Sequence, residues 1–132
     1  SAAAFTYLYH HFDGITWYIQ YVLNMLYTSI SDKSLLQEED VKMAIDGILS
    51  QQRFAYQALI YQLTAKQKQV LTAVALEGKP SSLMSQEFLQ KYHLGASTVQ
   101  GAVKTLLDRD FIMQDEGVYQ LCDKFLELSL RG

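Results

Sequence analysis

Five residues on one short stretch have the types and spacing that read the edges of nucleic-acid bases. Thr98, Gln100, Gly101, Lys104 and Thr105 alternate with Val99, Ala102, Val103, Leu106 and Leu107. The apolar set recurs at i, i+3, i+4, i+7 and i+8, one buried face of a helix, and leaves the other five facing away from the core. Amide and hydroxyl side chains bond to base edges in a major groove, and a lysine neutralises phosphate. Gln114 follows close enough to border the same surface. An ordinary solvated helix face needs the same residue types, so the spacing alone leaves both readings open. Asp108, Asp110, Asp115 and Glu116 crowd the region, with Lys104 and Arg109 to oppose them.

Other chemistry is poorly supported. The phosphate-cradling pattern G-x-x-x-x-G-K-[ST] is absent, and the single Gly-Lys pair, Gly78-Lys79, runs into Pro80. His10 and His11 are adjacent, so on a helix they diverge, and His93 is distant in sequence. Glu38, Glu39 and Asp40 suit the first turn of a helix, where the macrodipole favours acids. Cys122 is alone, which excludes an internal disulfide and makes a reducing cytoplasm the expected setting. No set of nucleophile, base and orienting group stands out. The expectation is a chain that is not an enzyme by itself and holds no metal or cofactor.

The elements that would carry the polar face come in a definite order. Thr64 and Gln67 form a capping box opening a helix with Val70, Leu71, Val74 and Leu76 as its apolar set, stopped by Glu77-Gly78-Lys79-Pro80. Ser85 is placed to cap a short helix bearing Phe88, Leu89 and Tyr92, with Gly95 as the left-handed residue at its end. Ser97 with Gln100 reads as a second capping box for the following helix. Residues 111–114 and 118–121 flank Asp115-Glu116-Gly117 as a hairpin, and Leu83-Met84 are candidates for a small third strand. Helix, turn, helix and hairpin in this order spell a winged helix-turn-helix over residues 64–121.

Upstream, residues 2–12 are apolar and aromatic, and the helix expected to about Ile30 is apolar on two sides. One stripe holds Ile15, Tyr18, Ile19, Val22, Leu23 and Leu26; the other holds Trp17, Tyr21, Asn24 and Thr28. A helix apolar on two sides needs two covers. Trp17 and Tyr21 are therefore candidates for an interaction surface, closed by another domain, by a homodimer or by residues 2–12 folding back. A third helix is expected on Val41, Ala44, Ile45, Ile48 and Leu49, interrupted at Gln51-Gln52-Arg53 and resuming with Phe54, Tyr56, Leu59, Ile60 and Leu63. The cap at Thr64 divides the chain into a helical subdomain, 1–63, and a winged-helix domain, 64–132. The first carries an excess of three acids and the second is neutral, so neither has the basic footprint of a dedicated nucleic-acid binder. No apolar run spans a membrane, so no membrane partner is expected.

The run Asp13-Gly14-Ile15-Thr16-Trp17-Tyr18-Ile19-Gln20, then Leu23-Asn24-Met25-Leu26-Tyr27, Leu63-Thr64-Ala65-Lys66-Gln67, Ser97-Thr98-Val99-Gln100 and Val118-Tyr119, resembles the C-terminal part of prokaryotic AAA+/STAND-type ATPases. In that family a P-loop domain precedes a helical lid and a winged helix. The resemblance covers almost the whole chain and implies a mainly α fold, a lid-like helical bundle followed by a winged helix-turn-helix with a small β-hairpin wing. Gly14 and Thr16 fall where the family often has Gly-x-Pro near the nucleotide, with Thr16 in place of the proline. The resemblance also implies that ATP and Mg belong to a nucleotide-binding domain outside this chain, which becomes its expected partner. Two functions follow as expectations: a regulatory or protein-interaction module of such an ATPase, or a winged helix that binds duplex DNA weakly.

Overall fold

The computed structural model describes residues 2–12, 16–29 and 37–132, with the side chains at 11, 16, 17 and 27–29 excepted. Seven helices and one hairpin follow in order: α1 (Ala2–His11), α2 (Thr16–Ser29), α3 (Glu38–Tyr61), α4 (Ala65–Glu77), α5 (Gln86–Lys91), α6 (Ala96–Asp108), β1 (Ile112–Asp115), β2 (Val118–Leu121) and α7 (Lys124–Arg131). Among the described residues no helix is long and apolar enough to cross a membrane. The fold is mainly helical and ends in the helix-turn-helix, hairpin and helix of a winged helix.

Two compact units are present, Ser1–Gln52 and Arg53–Gly132. In the first, Ala4, Leu8 and Phe12 of the α1 segment, Tyr18, Ile19, Val22 and Leu26 of α2, and Val41, Ile45 and Ile48 of α3 are buried. Phe12 stacks on Tyr18 with ring centroids 5.3 Å apart and planes 2° from parallel. The Tyr18-containing stripe of α2 is thus the core face, while Tyr21 on the other side is 40% exposed. The acids at the start of α3 act in capping. Asp40 accepts the Gln37 amide at 2.8 Å, and Lys42 pairs with Glu38 and Glu39 at 3.4 Å each.

The interruption expected at Gln51-Gln52-Arg53 does not occur. α3 runs unbroken from Glu38 to Tyr61. Gln and Arg are good helix formers, and without Gly or Pro a lapse in the apolar pattern changes what a helix faces without ending it. Compactness therefore divides the chain inside α3, and the cap at Thr64 lies within the second unit.

The second unit is built on α4. Val70, Leu71, Ala73, Val74 and Ala75 are all buried, with Leu83, Phe88, Leu94, Val99, Ala102, Leu106, Phe111, Ile112, Leu121 and Leu126 gathered around them. Each fully buried leucine or isoleucine contributes about 1.5–3 kcal/mol relative to exposure. The Thr64–Gln67 capping box forms in both directions, 3.2 Å from the Gln67 amide and 3.0 Å from the Thr64 amide. Leu76, which the apolar spacing places on the inner face, is 49% exposed. Ala73 and Ala75 take the inner places because α6 and α7 both pack on α4, and small residues let two helices approach one.

β1 and β2 pair antiparallel, with Ile112 opposite Leu121 and Gln114 opposite Tyr119. Ile112 and Leu121 are the buried ends of the two strands, and most of the hairpin stands clear of the core, which is why neither strand alternates cleanly. Glu116 and Gly117 form the two-residue tip with φ 51° and 80°, the paired positive values that tight hairpins require. The expected third strand at Leu83-Met84 is absent among the described residues. The Tyr119 amide bonds to the Pro80 carbonyl at 2.8 Å and ties that loop to the wing.

Candidate functional site

The second helix of the motif, α6, is positioned by how the first one ends. Ser85 caps α5, its hydroxyl accepting from the Phe88 amide at 3.2 Å. Phe88 is buried, with its ring 5.0 Å from that of Tyr92. The Tyr92 hydroxyl and the Lys91 ammonium both donate to Glu77 Oε1 at 2.6 Å, tying α5 to the end of α4. The Lys91 bond first, and the Tyr92 bond next, hold the Glu77 carboxyl below the usual carboxylate range.

The turn into α6 differs from expectation at two residues. The left-handed position is taken by His93, φ 54°, while Gly95 has φ −87° and serves as the N-cap of α6. The Leu94 amide bonds to the Leu89 carbonyl at 2.9 Å and the His93 amide to Gln90 at 3.3 Å, the paired closure of a Schellman motif, with Leu94 buried behind it. Closing on Leu94 starts the next helix two residues early, with Gly95 rather than Ser97 as its N-cap. Ser97 then lies inside α6 and makes no capping box, because the N-cap position has fallen to a residue without a side chain.

On α6, Val99, Ala102 and Leu106 are buried, and Val103 and Leu107 pack at the edge of the core. Gln100, Gly101 and Lys104 are exposed, and Thr98 and Thr105 are half-buried at the margins of that face. The Thr105 hydroxyl turns back to the Gly101 carbonyl at 3.4 Å. Gln114 projects from β1. A cleft of about 240 Å³ joins the recognition helix to the wing and to the α4–α5 loop, lined by Gln100, Gln114, Ser81, Ser82, Met84 and Tyr119 among others. Of the expected contact residues, the structure brings Gln100 and Gln114 together in this cleft. Lys104, Thr98 and Thr105 are not among its lining.

Ser81, Ser82 and Tyr119 carry no signal of this role in the chain; they reach the cleft through the Tyr119–Pro80 backbone bond. The site is rich in neutral donors and acceptors and poor in cations. Arg109, which could have met a phosphate, donates to Gln62 Oε1 at 2.6 Å, and its guanidinium lies 5.8 Å from the Phe111 ring centre. Asp108, Asp110, Asp115 and Glu116 are all exposed.

Gly14 and the side chains of Thr16 and Trp17 lie outside the described residues. Gly78, φ 87°, closes the C-terminal end of α4, so Gly78-Lys79 sits at the end of a helix that repels phosphate. No group of three or more His, Cys, Asp or Glu among the described residues is placed to hold a metal ion. Cys122 is exposed, and partial burial, then Asp110 and Asp123 nearby, push its thiol up, away from the reactive thiolate.

No curated protein and no solved structure matches the chain. A family model described as a probable winged helix domain matches residues 54–132, from within α3 through the hairpin and α7. With helix-turn-helix, wing and match all falling in one span, the chain belongs to the probable winged helix domain family.

Proposed function

We propose that this chain is a non-catalytic, C-terminal regulatory part of a P-loop ATPase of the AAA+/STAND type, and that its winged helix works by contact with protein. The observation that carries the protein-contact reading is the charge on the recognition face. Lys104 is the exposed cation of α6, Arg109 is turned onto Gln62, and four exposed acids border the helix end and wing. A duplex-binding surface draws most of its affinity from phosphate neutralisation, which this face is poorly equipped to supply. The ATPase context rests on the resemblance at residues 13–20, 23–27, 63–67, 97–100 and 118–119, and ATP with Mg would belong to the preceding domain, the module's partner. The residues encoded immediately upstream of Ser1 test it: a P-loop domain supports the context, and a different domain removes it.

Duplex DNA is the second reading, favoured by the polar cleft that places Gln100 and Gln114 together. Anisotropy titration of a labelled duplex decides between the two. The protein-contact reading expects weak binding that vanishes as salt rises, and tight binding that persists at high salt overturns it. If a duplex is bound, Lys104→Ala weakens all sequences alike, and Gln100→Ala relaxes one base preference, by about 1–3 kcal/mol.

A further inference from the structure

Beyond the recognition face, the second unit carries a groove between the last turns of α3 and α7. Its volume is about 330 Å³. Among its lining residues are Tyr56 and Ile60 from α3, Leu126 and Leu130 from α7, and Arg53 and Lys68, which add positive charge. The spacings are i, i+3 and i+7 for Arg53, Tyr56 and Ile60, so one face of α3 forms the wall. The groove is held open by its own framework: the Tyr56 hydroxyl is bonded to Asp123, which caps α7. Phe54 and Tyr61 on the same stretch of α3 are 81% and 83% exposed, far more than aromatic side chains usually are, and Lys68 sits 5.9 Å above the Tyr61 ring.

Two acids of α7 have partners of their own. Asp123 accepts from Tyr56 and from two amides of α7, and Glu127 is buried against Lys124. An apolar floor flanked by an arginine and a lysine matches an apolar stripe flanked by carboxylates. At the lower end of the ~300–1,000 Å³ range of ligand pockets, the groove has room for a few anchoring side chains.

We propose that this groove docks an amphipathic helix of a partner protein, whose apolar anchors at i, i+4 and i+7 are bordered by Asp or Glu. The proposal deepens the protein-contact reading and rests on it. Arg53 and Lys68 select the partner by charge; Ile60, Leu126 and Leu130 receive its anchors.

A phage-displayed library of helical peptides, panned on the 132-residue chain, tests it. Selected peptides are then titrated by anisotropy against the wild type and against Arg53→Glu with Lys68→Glu, a surface pair whose folding is checked by circular dichroism. The expected result is selection of acid-flanked peptides, weakened roughly tenfold by the double charge reversal. Exchanging the peptide's acids for lysines restores binding to the reversed variant. A further variant, Phe54→Ser with Tyr61→Ser, weakens the same peptides without altering the charge preference. Peptides that bind equally well to wild type and reversed chain overturn the groove and leave the protein-contact reading standing. Failure to retain any peptide, with tight binding of duplex DNA instead, overturns both. Sedimentation with phosphatidylserine vesicles, lost on the same reversal and not competed by peptide, assigns the groove to a membrane surface and overturns the proposal.

Discussion

Tyr56 and Asp123, 67 residues apart, meet where α3 and α7 converge: the phenol donates to Asp123 Oδ2 at 3.2 Å. Oδ1 of the same carboxylate accepts the Phe125 and Leu126 amides at 2.9 and 3.2 Å, so one side chain both caps α7 and fastens it to α3. Losing the cap and stranding the phenol together should cost about 1–3 kcal/mol in Asp123→Ala, against about 1 kcal/mol for Tyr56→Phe. The double variant should cost less than the sum, since the two changes share one bond. Urea unfolding of the four proteins measures this, and strict additivity would refute the coupling.

Asp110 ends α6 as His93 follows α5, in the left-handed region at φ 59°. The Phe111 amide closes onto Leu106 at 2.9 Å and the Asp110 amide onto Leu107 at 3.2 Å. Glycine reaches this conformation without steric penalty, so Asp110→Gly should stabilise the chain by about 0.5–1 kcal/mol after its greater unfolded freedom is counted. Asp110→Val should destabilise it, by about 1–2 kcal/mol, because a branched side chain resists positive φ. A fall in melting temperature for the glycine variant contradicts the assignment.

Lys124 and Glu127 form a buried pair at 3.3 Å, each about 4% exposed, with Glu127 Oε1 left without a hydrogen-bond partner. Arg131 also lies 4.0 Å from Glu127 Oε1, so removing Lys124 leaves the buried carboxylate only its more distant cation. Lys124→Ala should therefore cost up to about 3–5 kcal/mol, whereas replacing both by apolar residues, Lys124→Met with Glu127→Leu, should be closer to neutral. Chemical denaturation of the single and double variants distinguishes the two cases, and a single variant as stable as the double one goes against the argument.

Glu77 is held below its ordinary range by Lys91 and then Tyr92. A depressed carboxyl stabilises the fold above its unfolded titration range and loses that contribution as pH falls through the folded value. Glu77→Gln should thus lower the melting temperature at neutral pH, and the difference from wild type should shrink as the solution becomes more acid than the carboxylate range. Lys91 is raised by the same bond, so its contribution is present at neutral pH and fades only at strongly alkaline pH. The contact is exposed, so added salt should also reduce the difference. A melting difference independent of pH would show that the carboxylate charge plays no part.

Tyr21 on α2, and Phe5 and Tyr9 one turn apart on α1, are large exposed aromatics of the first unit. Such groups are uncommon on the free surface of a monomer in quantity, and self-association at high concentration is the expected outcome. Tyr21→Lys with Phe5→Ser should weaken it while leaving helicity intact. Sedimentation equilibrium showing a strict monomer at all concentrations rules it out.

Local chemistry was enough to place most of the winged helix from the chain alone. The Thr64–Gln67 box, the Ser85 cap, the apolar stripe of α6 and the Glu116-Gly117 tip depend on residues within a few positions of one another, and each forms where its spacing demands. What failed locally failed where two local solutions compete. Gly95 and Ser97 both suit a helix start, and the burial of Leu94 behind a left-handed His93 settled the choice in favour of Gly95. Leu76 reads as core by its type, but the packing of two helices on α4 reserves the inner face for Ala73 and Ala75. The whole of the polar cleft and the cationic groove could not be read from sequence. Gln114 was within reach of the Gln100 surface from the order of helix and wing, but Ser81 and Ser82, or Arg53, Lys68 and Leu130, come from separate elements whose spacing along the chain does not say that they share a surface. Only tertiary packing, through long-range ties such as Tyr119 to Pro80 and Tyr56 to Asp123, brings them together.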